Sequence, residues 1–304
     1  MGYPDPLKAS IRKVTNNCVT VSCPFKIIGL NIGGRMSILN YSGNLIVWSP
    51  IPYRQEIFNL AIKELMGESP YQIKYVIVAN NEHNLHAHEY KEKFGSCKII
   101  AGETVKLKNG CQIDHKLSVK FYDRVISGDD WVEKLEIDDS FFAQNLEMLC
   151  LKNHSGNDIC LFDKSTKSLY VGDLVFNLGV PGTTSGHVQL EQYSEATGYP
   201  KGFNPHGGLS FITRYTQPRS RVSQWLAWIL AGTRTEAAMA EIISQDTSCN
   251  ILKMHTDIVC GALWSPGYCH LSRELYPVSV YAGVVCLRIA ERASKFPSYS
   301  KTQH

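Results

Sequence analysis

The chain has 304 residues, 44% of them hydrophobic and 19% charged, and a formal net charge of +3. A chain of this length buries a sizeable core, and the balance excludes extended disorder or low-complexity sequence. Lys and Arg are scattered rather than striped, which excludes a nucleic-acid surface.

No internal boundary is visible, so a single domain over residues 1–304 is expected. The opening "MGYPDPLKAS" lacks the apolar run of a signal peptide, and Pro6 stands where myristoylation uses Ser or Thr. The apolar run Val278 to Ala290 is shorter than the ~20 residues that span a bilayer. Ten cysteines show no C-x-x-C spacing, and Cys150, Cys160 and Cys286 sit in apolar runs. Reduced, buried thiols in a cytoplasmic protein without membrane attachment are expected.

In chain order, "MSILN" and "NLIVWSP" flank the turn residues Ser42-Gly43-Asn44, which predicts a hairpin from Met36 to Trp48. Pro50 and Pro52 stop the second strand. "RQEIFNLAIKELMG" follows with Ile57, Leu60, Ala61 and Leu65 at helical spacing and Gly67 as its stop. A strand "YQIKYVIVA", a short helix "YKEKF" and a strand "CKIIAGE" give a β-α-β order. "SVKFYD" and "VEKLEI" alternate like strands, and "EMLCLKN", "DICLFD" and "SLYVGDLVFNL" read as buried strands. Residues 179–219 show no clear period, a feature of substrate loops and covers. Helices are expected at "RVSQWLAWILAG" and "TEAAMAEIISQ", a strand at "CNILKMH", and a C-terminal amphipathic helix over about 278–294.

Chemistry-bearing residues gather at the ends of these runs. "NNEHNLHAHEY" places His83, His86 and His88 directly after "YVIVA". His154, Asp173 and His255 each follow an apolar run in the same way. Loops at the C-terminal ends of buried strands collect ligand chemistry in α/β layers. His and Asp from separate strand ends suit a zinc, iron or manganese ion with an open water position. Each also has a plainer reading: His86 and His88 as solvent-facing residues, Asp173 as a turn cap, and His255 as a partner for strand-end backbone.

Other motifs are weaker. "GLNIGGR" lacks phosphate-loop spacing and reads as a turn. "NPHGGL" has no accompanying G-x-S-x-G, which argues against serine-hydrolase chemistry. Trp225, Trp228 and Trp264 read as core. His88, His187, Tyr193, Tyr199 and His206 are candidate substrate contacts.

The succession "VIVANNEHNLHAHE", "NHSGN", "LYVGDLVFN" and "LKMHTDI" resembles the sequential ligand motifs of the metallo-β-lactamase superfamily. "RMSILNYSGNLIVWSPIPY" with "IKYVIVANNEHNLHAHEYKEKF" is similar to an uncharacterised branch of that fold, which has Ser-Pro after its second strand and Asn before its histidines. The resemblance covers roughly residues 27–265 and implies an α/β protein, a four-layer αβ/βα sandwich. Its H-x-H-x-D-H motif falls on Asn81-Glu82-His83-Asn84-Leu85-His86, so Asn81 and Leu85 replace two ligands. It further implies His83 and His154 on one metal, His86 and His255 on another, and Asp173 between them. With this depleted set, one divalent ion, zinc first, is the economical expectation; two ions or none are the alternatives. The implied activity is metal-dependent hydrolysis of an ester, thioester, lactone or related small molecule, with Asp173 and His86 as catalytic groups. A non-hydrolytic lyase, isomerase or cyclase in the same pocket, and a non-catalytic binding protein, are the alternative functions.

Overall fold

The computed structural model describes residues 2–152, 154, 156–173, 191–215, 279–281 and 284–286. Strands β1 (Ser10–Thr15), β2 (Cys18–Cys23), β5 (Gly34–Tyr41) and β6 (Asn44–Trp48) form an antiparallel series, with a two-stranded ribbon of β3 (Lys26–Ile27) and β4 (Leu30–Asn31) beside it. The predicted hairpin is present: Ser42 and Gly43 take positive φ, and the Asn40 side chain accepts the Gly43 N–H at 2.8 Å. Helix α1 (Gln55–Met66) carries the chain to β7 (Gln72–Ile77), and α2 (Ala87–Lys93) carries it to β8 (Lys98–Gly102) and then β9 (His115–Leu117). Strands β6 to β9 run parallel, so the first sheet is antiparallel at one side and parallel at the other. A parallel pair requires a long crossover, helical for β6–β7 and β7–β8 and an extended loop with one 3-10 turn for β8–β9.

A second sheet contains β10 (Val125–Ile126), then, after α3 (Asp130–Leu135) and α4 (Ser140–Asn145), β11 (Leu146–Cys150), β12 (Ile159–Asp163) and β13 (Ser168–Tyr170). Strands β14 (Ser279–Tyr281) and β15 (Val284–Cys286) complete it, β15 pairing with β13. The helix expected over 278–294 is therefore corrected within these residues. The Val-rich stretch carries β-branched side chains, which suit a pleated edge better than a helix interior.

Period-two alternation sends each strand of the first sheet to two cores. Val47, Val76, Val78 and Ile99 meet Phe58, Ala61, Ile62 and Leu65 of α1 and Tyr90 of α2. Ile46, Trp48, Ile77 and Ile100 meet Met148, Ile159, Leu161 and Tyr170 of the second sheet, joined by Trp131, Leu135 and Phe142. The described layers are thus helix, sheet, sheet, three of the four expected of an αβ/βα sandwich. The two helices predicted between residues 221 and 245 lie outside the described residues.

Two strand expectations are corrected. Residues Val119–Phe121 form a 3-10 turn, and the "VEKLEI" segment begins inside α3. Trp131 and Leu135, four apart and both buried, set a helical period that outweighs the apparent alternation. On α1, Leu60 is 59% exposed, while Phe58 and Ile62 take the core face. Leu60→Gln should therefore change stability by no more than about 0.5 kcal/mol in denaturant unfolding, as for a surface position.

Candidate functional site

Three loops meet where the sheets join. The Ala79 carbonyl, just past β7, accepts the Ile159 N–H of β12 at 2.7 Å, and Asn81 N–H donates to Gly156 O at 2.9 Å. The segment after β7 is thereby fixed against the β11–β12 loop and the turn after β13. The predicted position of the His cluster, beyond a buried parallel strand, is the observed one.

Asn80 organises this junction. Fully buried, it donates through Nδ2 to Asp158 Oδ1 at 2.8 Å and to Asp173 Oδ2 at 2.7 Å. Its Oδ1 accepts the backbone N–H groups of Glu82 and His83, both at 2.9 Å, which shapes the His loop. Asp158 accepts the N–H groups of Gly172 at 3.1 Å and Asp173 at 3.0 Å. Gly172 allows this close approach: a Cβ there would collide with Asp158 Oδ1 and lie 2.8 Å from Asn80 Nδ2. The Gly before Asp173 thus serves packing, and Asp173 is no simple turn cap.

His83 and Asp173 come together here. Nε2 of His83 lies 3.3 Å from Asp173 Oδ1, and its Nδ1 hydrogen-bonds Ser49 Oγ. Their side chains are 30% and 22% exposed, so the pair can be reached from solvent. Ser49 follows β6 directly, takes φ of 54°, and donates its backbone N–H to Ile77 O at 2.9 Å. His154 is buried in the same junction, its Nδ1 accepting the Gly156 N–H at 3.3 Å.

The surroundings separate the two carboxyls. Burial opposes charge on Asp173, but hydrogen bonds from His83 and Asn80 and the nearby His154 outweigh it and hold this carboxyl below its ordinary range. Burial is also the largest influence on Asp158, and there the adjacent Asp173 charge adds to it, so Asp158 is raised. Burial disfavours the His83 cation, yet Asp173, Asp158 and Glu82 together raise its pKa. Two carboxyls whose environments push them apart are a recurrent feature of acid–base sites. An ionised Asp173 only accepts hydrogen bonds, so Nε2–H of neutral His83 donates to it. In the neutral form of the ring, reached as pH rises above its raised pKa, the lone pair on Nδ1 faces the Ser49 hydroxyl.

The remaining sequence candidates go elsewhere. His86, at the N-terminus of α2, bonds Glu89 Oε1 through Nδ1 at 2.7 Å and packs edge-on against Tyr3. It lines a separate recess of about 350 Å3 with Tyr3, Arg54, Leu85, Glu89 and Lys108. His88 is buried rather than solvent-facing. Tyr193 donates its hydroxyl to Phe25 O at 3.1 Å and packs with Tyr199 and Phe203. His206 is buried, 2.6 Å from Thr213 Oγ1. His187 and His255 lie outside the described residues. Ser49, Asn80 and Asp158 were not among the predicted site residues. Their signals are position, Ser49 and Asn80 directly after apolar runs and Asp158 directly before one, and, for Ser49 and Asn80, the Ser-Pro and the Asn of the family resemblance.

Among the described residues the donors do not assemble the ligand set that the sequence resemblance implies, and His255, one of that set, lies outside them. Among the described residues no group of three or more His, Cys, Asp or Glu is disposed to hold an ion. Both His83 nitrogens and both Asp173 oxygens already have protein partners, and His86 is engaged by Glu89.

No protein-family model and no curated protein matches the chain. Among solved structures, a metallo-β-lactamase exposed to ceftazidime is similar over 64% of this chain and 83% of its own, at 12% identity and a TM-score of 0.41. A metallo-β-lactamase from Pontibacter korlensis is similar over 52% and 68% of the two chains, at 8% identity and a TM-score of 0.34. A third, from Pseudomonas aeruginosa in its mono-zinc form, is similar over 52% and 66%, at 8% identity and a TM-score of 0.35.

Proposed function

We propose that the chain is a hydrolase-like enzyme that cleaves a small carbonyl compound, an ester, thioester or lactone, by acid–base chemistry at His83 and Asp173. The observation that carries this reading is the 3.3 Å contact between the two side chains, delivered from the ends of strands in different sheets and partly open to solvent. Asp173 orients the ring and balances the imidazolium that forms when His83 takes a proton, and the Asn80–Asp158 network holds Asp173 in place. We assign this activity to the cytoplasm, since the free cysteines among the described residues are thiols and, apart from Cys111, buried. Among the described residues no helix is long and apolar enough to cross a membrane.

The test is turnover of a panel of small nitrophenyl esters, acyl thioesters and lactones, before and after chelation, with metal content measured on the same sample. Hydrolysis that survives chelation and falls about 10²-fold in His83→Gln is the expected result. Activity lost to chelator and restored by zinc would replace this reading with the metal-dependent one. A product isomeric with its substrate would point to the lyase, isomerase or cyclase alternative. Saturable binding without turnover would leave a binding protein.

A further inference from the structure

We propose that Ser49 is the nucleophile of this site, forming with His83 and Asp173 a serine–histidine–aspartate relay built from three strand ends. The proposal rests on the hydrolytic reading above and supplies its missing reactant. With Nε2 of His83 directed at Asp173, the one proton that the ring is disposed to take is that of the Ser49 hydroxyl at Nδ1. Relative to the familiar triad the two ring nitrogens exchange roles, but a triad is defined by geometry and roles rather than by position.

The backbone agrees with this assignment. Ser49 is a non-glycine residue with φ of 54°, at a sharp turn where β6 ends. Strained turns at the end of a sheet strand are a recurrent setting for a nucleophilic serine, and here the turn holds the hydroxyl against His83 rather than out in solvent. This turn arises without glycines on either side, which is why a search for G-x-S-x-G passes over it. Ser49 is only 3% exposed, so the acyl group it accepts must be small.

The step balances. Ser49 Oγ bonds to the substrate carbonyl carbon as its proton passes to His83 Nδ1. The tetrahedral adduct expels the alcohol or thiol, which leaves with that proton. Water then attacks the acyl-serine ester and gives a proton to His83, and collapse releases the acid as the proton returns to Ser49. Pro50 has no N–H, so the residue after the nucleophile offers no oxyanion donor. Absence of one such donor costs about 10²–10³-fold in kcat. Slow turnover and a long-lived adduct are the consequence.

The experiment treats the full chain with a short-chain fluorophosphonate and maps the modified peptide by mass spectrometry. A stoichiometric adduct on Ser49 is expected. Labelling should fall at least about 10²-fold in Ser49→Gly, which relaxes the positive φ and keeps the turn, and in His83→Gln. No adduct, or an adduct on another residue, overturns the proposal. If nitrophenyl acetate is hydrolysed while Ser49 stays unmodified, the nucleophile assignment fails and the hydrolytic reading stands. If neither reaction occurs, both fail.

Discussion

Asn80→Asp is expected to destabilise the fold by about 3–5 kcal/mol and to remove the proposed hydrolytic activity. The substitution keeps the oxygen that accepts the Glu82 and His83 N–H groups, so the loop cap survives in principle. What it removes is the Nδ2 donor shared by Asp158 and Asp173. A third carboxyl then faces two others in a buried junction. Loss of one partner from a buried charged network carries a penalty of this size because the charges left behind have no compensation. Equilibrium denaturant unfolding measures the cost, and an unchanged midpoint would show that Asn80 does not organise the junction.

Glu191→Ala is the second large effect, about 3–5 kcal/mol by the same assay. Glu191 is a buried carboxylate that reaches across three strands: 2.7 Å from Arg12 Nε on β1, 3.1 Å from Arg35 Nη2 on β5, and 3.0 Å from the Ser22 hydroxyl on β2. Arg35 is itself only 8% exposed. Burial is the largest influence lowering its pKa, and Glu191 is what opposes it. Without the carboxylate two guanidinium groups face each other across the sheet. Further along the chain, Ser210 Oγ accepts the Asn31 N–H of β4 at 2.8 Å and Pro205 O accepts the Asn31 side-chain amide at 2.8 Å. The substitution should therefore increase proteolysis within residues 191–215 as well as lower the unfolding midpoint.

Much of the architecture is legible in the sequence because burial writes a period into it. The strands β5 to β8, β11 and β12 follow apolar runs bounded by Pro, Gly or Asn. The misread segments share a cause. Around Trp131 and at Ser279–Tyr281 and Val284–Cys286, short apolar stretches satisfy two periods at once, and tertiary contacts choose between them. The site is legible in position but not in partnership. His83 and Asp173 stand where strand-end reasoning puts them, 90 residues apart in sequence and in contact in the fold. His86, three residues from His83, points to Glu89 instead, because the start of α2 turns it away. Asn80 joins residues 78 and 93 positions distant, and no periodicity records such a link. The Ser-Pro and the preceding Asn in the family resemblance were its traces.

The Ala79–Ile159 hydrogen bond bridges the two sheets through main chain alone, and the site is built around that bridge. The floor of the site is therefore part of the global fold, and a local opening that bared it would have to part the sandwich. Amide exchange at Ile159 should then track whole-molecule unfolding, leaving the approaches to His83 as the parts free to adapt to a ligand.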